Sequence, residues 1–387
     1  MIKNFIMYGV VAISICACTQ NEYTEIKEKS VESELSHLVT IDEAVKNAED
    51  YLNTLPVETR NGTGIPEVKD VITYSLRDKG YVNTRSETDY PVDAPVFYAI
   101  NYKDNKGFVL ASTDDRYIPV YAYVPEGNFD KNYIPESGFK LVVENLIHKV
   151  TDPEDTTLLQ ENNASIQTRT YPSAIGHKLT TQWGRGYPYN CHSFYSNVVS
   201  TAVALTQVCA YFRHPSHIDY ADYGDSVHVN IDWDAIRSVS YANNRHLVSL
   251  DTCAHQVGHM MHFFEYHYND VTLSNVNRCL NWMRGLGFSI PQAMVNVDND
   301  SFDNYARAAM YDVDGVVFVE GYAQLNWDTA AVSDGWSWII DGFAYEFYHC
   351  NWGLNGNYDG LFQKSLFKPY EGKHYKYKLY SVRITND

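Results

Sequence analysis

Residues 200–212 read Ser200-Thr201-Ala202-Val203-Ala204-Leu205-Thr206-Gln207-Val208-Cys209-Ala210-Tyr211-Phe212, with Pro215 just beyond. The run reads as a helix, and residues 251–266 read as another. Later the pattern changes. Gly335-Trp336-Ser337-Trp338-Ile339-Ile340-Asp341-Gly342 and Tyr348-His349-Cys350-Asn351-Trp352-Gly353 mix aromatic and apolar residues with Gly and Asn, as strands and hairpins do. Helices first and strands afterwards predict α+β segregation over residues 175–387, not a βαβ repeat.

Working toward the N-terminus, residues 151–174 are polar and lack apolar periodicity, which predicts a linker. Residues 36–150 read as a smaller α+β unit. Thr40 and Glu43 match a capping box, and Ile41, Val45, Ala48, Leu52 and Leu55 recur on one helical face. Val96–Tyr102 and Phe108–Ser112 are β-like runs around the turn signal Lys103-Asp104-Asn105-Lys106-Gly107. Pro119–Val124 predicts a third strand and Phe139–Val150 a helix.

The first residues read as an export signal. Lys3 precedes a short apolar run, Phe5 to Ile15, that ends in Ile15-Cys16-Ala17-Cys18. This resembles a bacterial lipobox with Cys18 as the acylated residue, and residues 19–35 read as a polar tether. The expectation is an exported chain, lipid-anchored to the cell envelope on its periplasmic or outer-membrane side, the alternative being an ordinary cleaved signal peptide. A net charge of −18 without a Lys/Arg cluster argues against a nucleic-acid partner. Aromatic residues make up 14% of the chain, with 32 tyrosines, which favours packed sheets over disorder. Beyond the leader stand Cys191, Cys209, Cys253, Cys279 and Cys350, an odd set without regular spacing and so no disulfide framework.

Four segments carry a family resemblance. Thr181-Gln182-Trp183-Gly184-Arg185-Gly186-Tyr187-Pro188-Tyr189-Asn190, the helix from Ser200 with Gln207, Tyr211 and Pro215, and the strands at 335–342 and 348–353 resemble motifs of the streptopain cysteine peptidases. Gly107-Phe108-Val109-Leu110-Ala111-Ser112-Thr113-Asp114-Asp115-Arg116 is similar to a stretch of that family's inhibitory prodomain. The resemblance implies a papain-like fold, with a helical half facing an antiparallel β half, preceded by a prodomain. It also implies a Cys nucleophile, a His general base, an Asn that orients the His, and a Gln at the oxyanion.

The motifs place other residues at three of those positions. Ser200 stands at the nucleophile position, Trp336 at the general-base position and Arg185 at the oxyanion position, while Asn351 and the cleft residue Trp352 match the family. An indole donates one N–H and accepts no proton, so Trp336 cannot act as a general base. The expected molecule is therefore a pseudopeptidase that binds peptides or regulates an active relative, with a peptide or protein ligand and no cofactor. One rival is an active endopeptidase using Ser200 as an atypical nucleophile. Another is a zinc protein built on His255, His259 and His262, of which His255 and His259 have the i, i+4 spacing of paired zinc ligands. Against the second, a zinc-peptidase motif needs Glu after the first His, and Gln256 stands there. Trp327, Trp336, Trp338 and Trp352 would suit a glycan platform, although Trp338 and Trp352 match family packing positions.

Overall fold

A computed structural model describes residues 37–56, 64–80, 91–152, 154–160, 171–193, 195–222, 224–238, 252–268, 275–291, 294–295, 299–323, 335–367 and 375–384. The leader with Cys18, the tether and Trp327 lie outside the described residues.

The capping box forms: the Glu43 amide donates to Thr40 Oγ1 at 3.3 Å and the Thr40 amide to the Glu43 carboxylate at 2.9 Å. It starts helix α1 (Ile41–Thr54). The buried stripe of α1 is Ala44, Ala48 and Leu52, while Ile41 is 45% exposed. The stripe is thus rotated from the expected face. Strands β1 (Val68–Ser75), β2 (Pro95–Tyr102), β3 (Phe108–Ser112) and β4 (Val120–Val124) follow as an antiparallel meander. Helix α2 (Gly138–Thr151) comes next, its first turn capped by Ser137 Oγ.

The expected linker begins as packed chain. Leu158 is fully buried, and its carbonyl accepts from the Ile118 amide at 2.9 Å. Lys149 lies 3.4 Å from Asp155 with both side chains inaccessible, and it donates to Thr157 Oγ1 at 2.8 Å. The hydroxyl supplies an extra hydrogen bond, which a buried ion pair needs to offset desolvation.

The C-terminal part opens with β5 (Ala174–Ile175) and helix α3 (Ser200–Phe212), then the hairpin β6 (His217–Asp222) and β7 (Asp225–Asn230). Helices α4 (Trp233–Ser238), α5 (Thr252–Tyr268) and α6 (Asn275–Gly285) follow. After the short strands β8 (Phe288–Ser289) and β9 (Met294–Val295) come α7 (Asn299–Tyr311), β10 (Val316–Ala323), β11 (Trp336–Ala344), β12 (Phe347–Asn351), β13 (Gly360–Gln363) and β14 (Tyr375–Ile384). Among the described residues, no helix is long and apolar enough to cross a membrane.

One sheet runs through both parts in the order β1-β2-β3-β4-β13-β12-β11-β10-β14-β8. The seam is β4 against β13, with Tyr123 opposite Leu361 and Ala122 opposite Phe362. Strand alternation gives β10 and β11 two apolar faces. Val317, Val319, Trp338 and Ile340 share a core with α2, whereas Val316, Phe318 and Ile339 share another with α3, α5 and α6. Helix α2 is buried nearly all round, as expected of a helix enclosed by the core rather than lying on a surface. The helical half therefore faces a strand-rich half, and the N-terminal unit extends the latter.

Candidate active-site cleft

Ser200 is the first residue of α3, and Val199 before it supplies no side-chain cap. The positive end of the helix thus points at the Ser200 side chain. Ser200 is 9% exposed, and its Oγ accepts from the Ser337 amide at 3.0 Å. Next to it, Thr201 Oγ1 and Ser337 Oγ lie 2.8 Å apart. Two hydrogen bonds, both to Ser337, therefore rivet the start of α3 to the start of β11.

Trp336, half-buried, is the first residue of β11 and immediately precedes Ser337. The Arg185 guanidinium carbon lies 4.9 Å from the centroid of its ring. Arg185 is held there by Val198, two residues before Ser200: Nε donates to the Val198 carbonyl at 2.6 Å, and the Val198 amide donates to the Arg185 carbonyl at 2.8 Å. Arg185 and Trp336, far apart in sequence, are thus in contact, with Val198 and Ser337 linking them to the segment that carries Ser200. A cation over an indole contributes about 0.5–1 kcal/mol when exposed and ~2 when desolvated.

Asn351 is 4% exposed and engaged elsewhere. It pairs with the Gln207 side-chain amide in both directions, at 2.9 and 3.3 Å, and donates to the Thr181 carbonyl at 3.1 Å. Gln207 lies seven residues along α3 from Ser200, about 10 Å at 1.5 Å per residue. Asn351 therefore anchors the strand half to the middle of α3. Trp352, expected to line the cleft, is instead 2% exposed and covered by α2. A Cβ on Gly138 would lie 2.7 Å from Trp338 Cε3 and 2.9 Å from Trp352 Cε3, so the bare glycine lets the N-terminal unit seat against both indoles.

Comparison with known proteins fits this arrangement. Residues 36–150 match the family model described as Spi protease inhibitor, and residues 183–362 match that of the Peptidase C10 family. The chain belongs to the streptopain peptidase family. The thiol protease/hemagglutinin PrtT of Porphyromonas gingivalis is 21% identical over 319 residues. That alignment covers 71% of this chain and 34% of PrtT, so the chain spans about a third of that relative's length. A solved structure of a mutant prointerpain A fragment from Prevotella intermedia has a TM-score of 0.54 at 16% identity, covering 79% of this chain and 97% of the other. It shows the fold: a papain-like domain preceded by a prodomain, as the motifs implied.

A cavity of about 280 Å³ opens between the streptopain-family domain and the prodomain. Its lining includes Glu126, His177, Thr181, His349, Asn351 and Asp359. His349 Nδ1 lies 2.7 Å from Asp341 Oδ1, and the His177 ring stacks on His349. Burial alone would lower the His349 pKa, but the Asp341 carboxylate outweighs it and the net shift is upward. Burial pushes the Asp359 carboxyl up to about 7, with the Trp352 amide and His349 acting in the opposite direction. This His–Asp pair resembles a base with its orienter, but the hydroxyl of the neighbouring Thr181 donates to Gln207 Oε1 at 3.0 Å. His349 therefore reads as a wall of the cavity.

The histidines of α5 depart from expectation. His255 and His259 share a face, but His262 does not join them. It is 1% exposed and points inward, 3.6 Å from Asp222 and 3.7 Å from Glu265. The hydrophobic side of α5 rotates it into the core, so the three-histidine set drawn from spacing is corrected. Across from His255 stand two residues that spacing did not pair with it. His192 Nε2 lies 3.0 Å from His255 Nδ1, and the donor atoms of Cys191, His192 and His255 all fall within 4.8 Å of one another. Adjacent Cys191-His192 was the available signal, but nothing local ties it to a helix 63 residues on. Cys209 is core, with Sγ 3.7 Å from Met283 Sδ. All five described cysteines are free thiols.

Proposed function

We propose that this chain is a pseudopeptidase of the streptopain family. In this reading it is exported, lipid-anchored through Cys18, and works by binding a peptide or protein, an active relative included. The observation that carries the reading is the Arg185 guanidinium laid over the Trp336 indole, one residue before the Ser337 amide that holds Ser200 Oγ. Acyl transfer by a serine needs a base within hydrogen-bond reach of the hydroxyl. Here the neighbour of Ser200 Oγ is a backbone amide, which donates a proton and cannot take one. Asn351 remains, but its hydrogen bonds serve α3 and not an imidazole. The shared sheet supports a molecule whose two parts stay joined.

The test compares protein lacking the leader, as the natural sequence and as Ser200→Cys with Trp336→His. Linker cleavage is followed by gel and peptide hydrolysis by fluorescence. The natural protein is expected to stay intact and inert, and processing in the double variant would mark a dormant peptidase. Hydrolysis by the natural sequence that vanishes in Ser200→Ala would overturn the reading in favour of an active endopeptidase.

A further inference from the structure

We propose that Cys191, His192 and His255 form a site for a thiophilic divalent cation, zinc being the ion whose geometry they fit. The three donors come from two elements: the loop that leads from Arg185 toward Ser200, and the solvent-facing side of α5. All three residues are half-buried, so an ion can reach them. Zinc takes nitrogen ligands at about 2.0–2.1 Å and thiolate at about 2.3 Å in a tetrahedron. Two such nitrogens then stand roughly 3.3 Å apart, and sulfur and nitrogen roughly 3.6 Å. The His192–His255 separation of 3.0 Å needs to open by only a few tenths of an ångström. The sulfur, within 4.8 Å of both, needs a side-chain adjustment.

A second observation points the same way. Gly258 lies inside α5, where glycine costs about 1 kcal/mol relative to alanine. A Cβ there would lie 2.4 Å from Cys191 Sγ and 3.2 Å from His192 Cδ2. The bare glycine is thus what lets the loop press its thiol and imidazole onto the helix beside His255. The surroundings also orient the rings. His259, one turn on from His255, stacks on His192 with centroids 3.6 Å apart, and Tyr220 OH lies 2.7 Å from His259 Nδ1. The stack against His259, itself held by Tyr220, limits the tilt of the His192 ring.

The Cys191 thiol proton leaves for solvent as the sulfur–metal bond forms. Three protein ligands leave the fourth position of the tetrahedron for water or an external ligand.

The experiment uses untagged protein lacking only the leader, freed of metal by a chelator. Zinc is titrated against a chromophoric competitor, Co²⁺ is added as a spectroscopic probe, and thermal unfolding is followed with and without zinc. We expect one zinc per chain, a thiolate-to-cobalt charge-transfer band, and a rise in melting temperature on adding zinc. Cys191→Ser should abolish the band, and Cys191→Ser, His192→Ala and His255→Ala should each weaken zinc binding by about 100-fold or more, beyond the ~10–100-fold of an outer-shell change. Gly258→Ala should weaken it as well, whereas His228→Ala, on the exposed β6–β7 hairpin, should not. The proposal is overturned if the natural protein takes up no zinc, if Co²⁺ gives no thiolate band, or if Cys191→Ser binds zinc as tightly as the natural chain.

Discussion

Replacing Ser200 by Ala separates a structural hydroxyl from a nucleophilic one. In the fold, Ser200 Oγ is the acceptor for the Ser337 amide at 3.0 Å, and both residues are buried. Alanine leaves that amide without its acceptor in a place water does not readily reach. An orphaned buried donor costs about 1–3 kcal/mol. Alanine is the better helix former, which returns roughly 0.5 kcal/mol. The net expectation is a loss of about 1–2 kcal/mol. At roughly 2–4 °C per kcal/mol for a domain of 150–250 residues, the melting temperature should fall by about 2–8 °C. The assay is thermal unfolding run beside fluorogenic peptide hydrolysis on the same preparations. Stability should drop while the hydrolytic signal stays at the level of a protein-free control in both proteins. Unchanged stability together with loss of a measurable hydrolytic rate would refute the reasoning, because Ser200 would then act in chemistry and not as a rivet.

Two further outcomes follow from packing and charge. Gly138→Ala places a Cβ 2.7 Å from Trp338 and 2.9 Å from Trp352, so it should destabilise by about 1–3 kcal/mol in chemical denaturation; a gain in stability would mean that α2 does not seat on the two indoles as described. Asp359, with a folded-state pKa of about 7 against an ordinary value near 4, holds its proton more tightly in the folded protein. Its stabilising contribution is complete below about pH 4 and is lost as pH rises through 7. Between pH 5 and pH 7.5 the natural protein should therefore lose about 2–3 kcal/mol more than Asp359→Asn, whose side-chain oxygen can still accept from the Trp352 amide. Parallel pH–stability curves for the two proteins would contradict the shift and the burial behind it.

Where the physical signal is local, the sequence already determined the structure. The Thr40–Glu43 box, the Lys103–Gly107 turn and the apolar runs placed α1, β2, β3, β4, α2 and α3 to within a residue or two, because caps, turns and side-chain period act over a few neighbours. Arg185, Ser200, Trp336, Asn351 and Trp352 were singled out by the resemblance of the motifs around them to those of the family. Other features depend on partners distant in the chain. Strand β1 went unread, since its half-exposed, charge-bearing residues become a strand only by pairing with β2. Only tertiary packing laid the Arg185 guanidinium on Trp336, gave Asn351 to Gln207, and buried Trp352 beneath α2. Packing likewise turned His262 into the core and brought Cys191 and His192 to His255. Helical spacing says which residues share a face, whereas the neighbouring elements decide which face meets the core and which meets the loop.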